Sequence, residues 1–257
     1  MMVKIIRNEH LITQFILLLF IGIGILLPVY AYSVNENSQA GVKAPEVSDK
    51  EKNERELVVL IHGLMRTSMS MSLLKSFLEH QGYTVYSYSY PSAKYTIHEH
   101  SINLNQYIEQ VLANNPGVKI HFITHSLGGI IVREAIAKLS KDQLKNIGYL
   151  IMMAPPNQGS FLAKLSTKMF PIFTSPIKPL AELSSDQSSY VHHVPVPKIR
   201  MGIIAGRFDA KVPPSSADLD GKADLVVINS THTFIMNNFK TQKLILSFLE
   251  KGSFDDE

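Results

Sequence analysis

From Leu57 onward, short runs of β-branched and aromatic residues alternate with amphipathic stretches of helical period, and this alternation constrains the fold most strongly. Parallel strands need a crossover connection, which is usually a helix, so the pattern predicts an α/β domain. The runs expected to form strands are Leu57–Ile61, Thr84–Tyr90, Val118–Thr124, Tyr149–Met153, Ile199–Ala205 and Asp224–Asn229. We therefore predict about six mostly parallel strands with helices on both faces of the sheet.

Four stretches between or after these strands carry apolar residues at the three- and four-residue spacing of an amphipathic helix. They are Ser70–Gln81, Thr96–Asn114, Leu127–Leu139 and Phe234–Lys251. Only Phe161–Pro197 departs from the alternation, because it holds five prolines and scattered apolar side chains. Proline interrupts regular structure, so we expect this segment to be a short, lid-like excursion over one face of the sheet.

The amino terminus has the order of a secretory leader. A basic start with Lys4 and Arg7 precedes a 17-residue apolar run, Leu11–Leu27, and the small residue Ala31 offers a cleavage site. We expect residues 1–31 to be a signal peptide that directs export. Because the apolar run is longer than a usual leader core and shorter than a membrane span of about 20 residues, an uncleaved anchor is the alternative.

The rest of the chain divides into a linker and one domain. Residues 32–56 are mainly polar and charged and cannot bury enough apolar surface to order themselves, which predicts a flexible linker. Residues 57–257 are enough for a single α/β domain. The net charge of +3 comes without the basic footprint that nucleic acid requires, so we expect no such partner. The absence of cysteine excludes disulfides, thiolate metal sites and a cysteine nucleophile.

The segment 123–129, Ile-Thr-His-Ser-Leu-Gly-Gly, stands where an apolar strand ends and a helix begins. A serine at such a point is held on a sharp, strained turn, and Gly128 lets the helix approach closely. The usual pattern has glycine two residues before the serine, where this chain has Thr124. We predict Ser126 as a nucleophile, and the alternative is a serine that only caps the helix.

The segment 58–64, Val-Val-Leu-Ile-His-Gly-Leu, runs from an apolar strand into a loop. Acyl transfer builds negative charge on the former carbonyl oxygen, and a backbone N–H donor in a dry site is worth about 3 kcal/mol there. We assign two such donors, an oxyanion hole, to the N–H groups of Leu64 and of Leu127, which follows the nucleophile. His62 could be a base, but a histidine so close to a strand end more often fixes the loop by hydrogen bonding.

These segments resemble those of the α/β-hydrolase superfamily. The chain is similar to lipase-type serine hydrolases, close to small bacterial class-2 lipases and GPI-inositol-deacylase-like hydrolases, from Leu57 to about Phe254. The stretches that carry the resemblance are 58–66, 82–83, 90–92, 124–129, 154–160 and 230–237. The most characteristic is 154–160, Ala-Pro-Pro-Asn-Gln-Gly-Ser, which in such families helps to shape the acyl pocket.

The order of catalytic residues in the superfamily, serine then acid then histidine, places the other two downstream of Ser126. His232 follows the last predicted strand and precedes the last helix, which is where the general base belongs. It would accept the Ser126 proton and later deliver it to the leaving alcohol. A loop histidine without a catalytic role is the alternative.

Four aspartates lie between the nucleophile and that base as candidates for the acid. Asp209 follows a predicted strand through a short turn, and the segment 209–212, Asp-Ala-Lys-Val, resembles the Asp-Gly-x-Val segment of similar hydrolases. We predict Asp209, and Asp224 at the start of the last strand is the alternative. Asp218 and Asp220 are interpreted as solvated loop residues.

Two histidine-containing segments could be mistaken for metal sites. They are His98-Glu99-His100 and His192-His193, and neither has a third ligand at a recognisable spacing. We therefore expect no metal and no cofactor.

Together these features predict an exported serine hydrolase that cleaves carboxylic esters through an acyl-enzyme intermediate. The apolar side chains of Phe161–Pro197 weakly favour lipid-like esters, and they would equally suit contact with a membrane surface or a lid packed on the sheet. Acyl transfer to an acceptor other than water would use the same residues. The alternative from another class is a catalytically silent hydrolase-fold protein that binds an acyl lipid or a partner at the cell envelope.

Overall fold

The computed structural model describes residues 56–254. The predicted leader, residues 1–31, and all of the predicted linker except Glu56 lie outside these residues. Within 56–254, six parallel strands form one sheet in the order β2-β1-β3-β4-β5-β6. The strands are β1 Leu57–Ile61, β2 Thr84–Tyr88, β3 Ile120–His125, β4 Ile147–Met153, β5 Met201–Gly206 and β6 Asp224–Ile228.

The same residues form nine α-helices and three 3₁₀ turns. The helices are α1 Ser72–His80, α2 Ile97–Asn114, α3 Leu127–Ala137, α4 Lys141–Leu144, α5 Phe161–Met169, α6 Pro171–Thr174, α7 Lys178–Glu182, α8 Pro214–Ala217 and α9 Phe239–Lys251. The 3₁₀ turns are Ser68–Met71, Tyr190–His193 and Ile235–Asn237. No helix within 56–254 is long and apolar enough to cross a membrane.

The predicted architecture of about six mostly parallel strands joined by helices is confirmed. Strand β1 has the predicted bounds, and the other strand ends differ from the predicted ones by two residues or fewer. Helix α2 begins one residue after its predicted start, because Thr96 caps it in a capping box with Glu99. The predicted helices Ser70–Gln81 and Phe234–Lys251 each begin in the structure as a 3₁₀ turn that leads into an α-helix.

The side chains of the central strands alternate between two apolar layers, as the two-residue period of a strand requires. One layer contains Leu60, Ile123 and Ile151 together with the buried faces of α1 and α9. Helix α3 lies against the opposite layer and packs beside α2. Because all six strands are parallel, their carboxyl ends share one edge of the sheet, and the loops that leave this edge can meet.

The excursion 161–197 is more regular than the sequence predicted. It contains α5, α6 and α7, and two of these helices begin at a proline in the first turn, where a missing N–H costs nothing. Leu180, Leu183 and Val191 are buried, whereas Phe161 and Ile172 are exposed. The segment therefore has a packed side and a solvent-facing side.

Candidate active site

Ser126 lies on the turn between β3 and α3, at the carboxyl edge of the sheet. Its backbone has φ 52° and ψ −124°, a conformation that residues other than glycine rarely adopt and that is concentrated at functional sites. Its amide donates a hydrogen bond to the Met153 carbonyl at 2.9 Å, which ties the turn to the neighbouring strand. The turn thus holds the serine in a strained, fixed position that is 7% exposed.

Two glycines allow the main chain to approach this turn closely. A Cβ atom on Gly63 would lie 3.0 Å from the Cβ of Ser126. A Cβ atom on Gly128 would lie 2.8 Å from the carbonyl oxygens of both Ile61 and His62. A larger residue at either position would push the loop after β1, or the start of α3, away from the serine.

Thr124 stands where the usual motif has glycine, and the structure gives a physical reason why it is tolerated. Its buried side chain lies beside Gly129, whose Cβ atom, if present, would be 3.1 Å from the Thr124 Oγ1. Gly129 therefore provides the room that lets α3 pack against the strand in spite of the larger side chain.

His232 lies beside Ser126 although 106 residues separate them in the chain. Its Nε2 is 3.0 Å from the Ser126 Oγ, and its Nδ1 is 2.7 Å from Oδ2 of Asp209. An ionised carboxylate only accepts hydrogen bonds, so Nδ1 carries the proton and Nε2 is left to accept one from the serine hydroxyl. This is the tautomer in which an imidazole can take a proton from serine.

The Asp209 carboxylate is buried and fully oriented. Its Oδ1 accepts from the amides of Lys211 at 2.9 Å and Val212 at 2.8 Å, which leaves Oδ2 for the imidazole. The turn before it is held against the loop after β6, because the Phe208 amide donates to the Ser230 carbonyl at 3.0 Å. The loops that follow β5 and β6 thereby bring Asp209 and His232 together.

The other aspartates lie elsewhere. Asp224 opens β6 at the opposite edge of the sheet, where it accepts from the amides of Leu225 and Phe254, both at 2.8 Å. Asp218 pairs with Lys222 at 2.7 Å. Of the four aspartates considered from the sequence, Asp209 is the one that the structure places against His232.

The two amides considered as oxyanion donors belong to the loop after β1 and to the start of α3. Leu127 occupies the first position of α3, where an N–H has no acceptor within its own helix. Within residues 56–254 neither its amide nor that of Leu64 donates a hydrogen bond. The loop after β1 is held at the residue that follows Leu64, because the Met65 amide donates to the Ser92 Oγ at 2.9 Å. Met65 also has a positive φ of 54°.

His62 has the surroundings of a structural residue. It is completely buried and stacks on Tyr90 with ring centroids 4.3 Å apart. The Tyr90 hydroxyl donates to the His62 carbonyl at 2.8 Å, and Nδ1 of His62 lies 3.0 Å from the Gly63 carbonyl. Burial lowers the pKa of His62, and these contacts hold the loop that precedes Leu64.

A buried arginine supports the wall formed by residues 154–160. Arg133 of α3 donates to Oδ1 of Asn157 at 2.7 Å and to the Val194 carbonyl at 2.6 Å, and Asn157 in turn donates to the Ala217 carbonyl at 2.7 Å. Burial lowers the pKa of Arg133 to about 10. Sequence reasoning missed this arginine, although a single guanidinium among apolar residues of a helix was an available signal.

Two cationic side chains add positive charge near the site. Burial lowers the pKa of Arg66, and burial together with the Arg66 charge lowers the pKa of Lys211, against the opposing effect of Asp209. Both charges also act on His125, the residue before Ser126. A positive potential favours negative charge that develops close to it.

No group of three or more His, Cys, Asp or Glu within the described residues could hold a metal ion. His98 instead contacts Oε1 of the buried Glu134 at 2.6 Å, and that oxygen also accepts from Lys138 and Tyr190. These contacts join α2, α3 and the Tyr190–His193 turn.

Comparison with known proteins finds a family model that matches part of the chain. Residues 51–177 match the family DUF676, which is described as "putative serine esterase". No curated protein sequence matches the chain.

Several solved structures have a similar fold. The mature form of the lipase BlEst2 from Bacillus licheniformis gives a TM-score of 0.66 at 16% identity, with 82% of this chain and 97% of that chain covered. The metagenomic carboxyl esterase MGS0156 gives 0.58 at 17% identity, covering 76% and 69%. Phospholipase PlaB from Legionella pneumophila, in complex with thio-NAD, gives 0.54 at 22% identity, covering 63% and 44%. At these identities the likeness establishes the fold.

Proposed function

We propose that this chain is a carboxylic-ester hydrolase of the serine esterase type, which acts through Ser126, His232 and Asp209 on lipid-like esters. The observation that carries the proposal is the hydrogen-bonded series from the serine hydroxyl through the imidazole to the carboxylate, at 3.0 and 2.7 Å. The strained serine turn supports it as well, since such a turn costs stability and is kept where it serves function.

In the proposed reaction, the Ser126 Oγ attacks the ester carbonyl carbon while Nε2 of His232 takes the hydroxyl proton. The tetrahedral intermediate collapses when the C–O bond to the alcohol breaks, and His232 returns the proton to that leaving alcohol. Water then attacks the acyl-serine, with His232 again as base, and the carboxylic acid and free serine are released. Asp209 keeps the imidazole in the required tautomer and stabilises its protonated form.

The amides of Leu64 and Leu127 are proposed to stabilise the negative oxygen of the tetrahedral intermediate. Support comes from their lack of acceptors within the described residues and from the close approach of Gly63 to Ser126. Each donor would contribute about 3 kcal/mol to the transition state. Because these donors are backbone groups, the packing of the loop determines their position more than the side chain at either residue.

The preference for lipid-like esters is supported by an apolar rim at the carboxyl edge of the sheet. Its members are exposed and lie on segments that follow the ends of β1, β4, β5 and β6. They are Met65, Met69, Phe161, Phe208 and Phe234. Exposed apolar side chains grouped around one edge are typical of surfaces that contact lipid or another apolar partner. A lipase and a phospholipase among the similar folds agree with this choice, and we include membrane-surface contact in the proposal.

Export is a further part of the proposal and rests on residues 1–31 alone. Amino-terminal sequencing of the protein recovered from the cell envelope or the medium tests it. A chain that begins at Tyr32 is the expected result, and an intact amino terminus in a membrane fraction would indicate the anchored form. Recovery of the full-length chain in the cytoplasm alone would contradict export.

Kinetics on p-nitrophenyl esters of increasing acyl length test the activity itself. The wild-type protein should hydrolyse them, with kcat/KM rising from acetyl toward longer chains, and Ser126→Ala should lose turnover by about 10⁶-fold, as expected for removal of a serine nucleophile. Equal turnover by Ser126→Ala would overturn the assignment. Absence of turnover in both proteins would favour the catalytically silent alternative.

The rim is tested by comparing esters in phospholipid vesicles with short soluble esters. The double variant Met69→Ser/Phe161→Ser should lose turnover in vesicles relative to the soluble ester, because less apolar area meets the lipid. Ile102→Ser is a matched control, since Ile102 is exposed on α2 and outside the rim. If the ratio of vesicle turnover to soluble-ester turnover is the same in the double variant and in Ile102→Ser, contact between the rim and the bilayer is contradicted.

A further inference from the structure

His125 immediately precedes the nucleophile, is completely buried, and has no task in the reaction described above. Its Nε2 lies 2.9 Å from the main-chain carbonyl oxygen of His232. A carbonyl only accepts hydrogen bonds, so Nε2 must carry the proton and donate. The side chain that precedes the nucleophile thus holds the backbone of the base.

The opposite side of the same ring faces the loop that carries Leu64. A Cβ atom on Gly63 would lie 2.8 Å from Nδ1 of His125. Nδ1 is buried and has no hydrogen-bond partner within the described residues, so this contact is one of packing. One ring therefore touches both the loop after β1 and the residue that acts as base.

The His232 backbone depends on this contact to an unusual degree. It lies in the connection between β6 and the Ile235–Asn237 turn, outside regular structure. Within residues 56–254, the main-chain groups of His232 make one hydrogen bond, which the His232 carbonyl accepts from His125. The two imidazole rings also lie close, with centroids 4.9 Å apart and planes tilted by 50°.

The surroundings also keep His125 uncharged. Burial holds the pKa of His125 well below its usual range, and the charges of His232, Arg66 and Lys211 act in the same direction, against the opposing effect of the hydrogen bond to the His232 backbone. The neutral ring carries one N–H proton, which stays on Nε2 and is donated in the hydrogen bond to the His232 carbonyl. A second proton on Nδ1 would face Gly63 without an acceptor, so protonation would disturb the packing on that side.

We propose that His125 is a positioning residue: its Nε2–H holds the His232 backbone so that the imidazole stays within reach of Ser126, while its ring sets how closely Gly63 approaches. This inference rests on the proposed function, because it assigns His125 a task in that same reaction. A histidine that only filled the core would support folding without affecting the geometry of the base.

The test compares two substitutions of the same residue. His125→Phe keeps a ring but loses the donor, whereas His125→Gln places an amide N–H near the position of Nε2. For His125→Phe we expect kcat to fall by about 10- to 100-fold with KM changed little, since a small displacement of a reacting group has that effect. His125→Gln should recover most of the lost kcat. The rate of serine phosphonylation by a fluorophosphonate should follow the same order.

His121→Phe is the matched control, because His121 is also a buried histidine of β3 but lies near the amino end of the strand. It should leave kcat unchanged even if it lowers stability. Thermal unfolding is measured for every variant, and His125→Met, which also lacks a donor, replaces His125→Phe if the latter does not fold.

Unchanged kcat in His125→Phe, equal losses in His125→Phe and His125→Gln, or an equal loss in His121→Phe would overturn the inference. Ser126→Ala, assayed alongside, separates this failure from failure of the proposed function. If Ser126→Ala is inactive while His125→Phe is fully active, the reaction stands and the positioning role is wrong. If Ser126→Ala retains turnover, the proposed reaction itself is wrong.

Discussion

Replacing Asp209 by asparagine changes the chemistry of the site while it keeps the shape. The carboxylate oxygen Oδ1 accepts from the amides of Lys211 and Val212, and an asparagine carbonyl can keep both hydrogen bonds. The asparagine NH₂ group then takes the position of Oδ2, which is 2.7 Å from Nδ1 of His232. A donor there forces Nδ1 to become the acceptor and moves the imidazole proton to Nε2.

In that tautomer the imidazole presents an N–H to the Ser126 hydroxyl and cannot take its proton. The same exchange of donor and acceptor in a serine protease lowers kcat by about 10⁴-fold, and because a hydrogen-bonded series of serine, histidine and aspartate is present here we expect a loss of that order. It corresponds to about 5 kcal/mol of lost transition-state stabilisation. Stability should change little, because both backbone hydrogen bonds to Oδ1 remain.

Steady-state hydrolysis of a p-nitrophenyl ester measures the effect, with Asp224→Asn as the matched control. Asp224 accepts two backbone hydrogen bonds at the other edge of the sheet, so its replacement should leave kcat within about twofold of wild type. Full activity in Asp209→Asn, or a loss confined to Asp224→Asn, would refute the assignment of the acid.

Three further substitutions test the surroundings of the site and the fold. Gly63→Ala should lower kcat by at least about tenfold, because the added Cβ would come within 2.8 Å of His125 and 3.0 Å of Ser126 Cβ, and full activity would show that the loop yields freely. Burial lowers the pKa of His100 to about 4. Between about pH 6.5 and 4 the unfolded state therefore binds more protons than the folded state. The free energy of unfolding should fall by on the order of 3 kcal/mol as the pH drops through this range. Urea unfolding at several pH values should show His100→Gln losing that part of the slope, and an unchanged slope would exclude His100 as its source. Gly252 ends α9 at φ 72°, so Gly252→Ala should lower the unfolding free energy by about 1 kcal/mol and Tm by about 2 to 4 °C, whereas an unchanged Tm would contradict the strain.

The strands and the turn that carries Ser126 were predictable because their signals are local. A β-branched run such as Leu57–Ile61 favours a strand wherever it occurs, and a serine between such a run and a glycine-rich helix start points to the strained turn. The distance of Asp224 from the candidate site could also be predicted, because the first residue of a parallel strand lies at the amino edge of the sheet, away from the loops that follow the strands.

Other features depend on contacts that leave little local pattern. The hydrogen bond from His125 to His232 spans 107 residues, and the one from Arg133 to Val194 spans 61. The helices of the 161–197 excursion were missed for a different reason. The five prolines of the segment predict an interruption of regular structure, whereas Pro171 stands in the first turn of a helix, where proline is favoured.

Peptide mapping after reaction with a fluorophosphonate tests the central claim most directly, because it identifies the attacking atom. We predict one covalent adduct per chain, on the peptide that contains Ser126, with no adduct in Ser126→Ala and strongly slowed labelling in His232→Ala. An adduct on another serine, together with ester turnover that survives Ser126→Ala, would contradict the account.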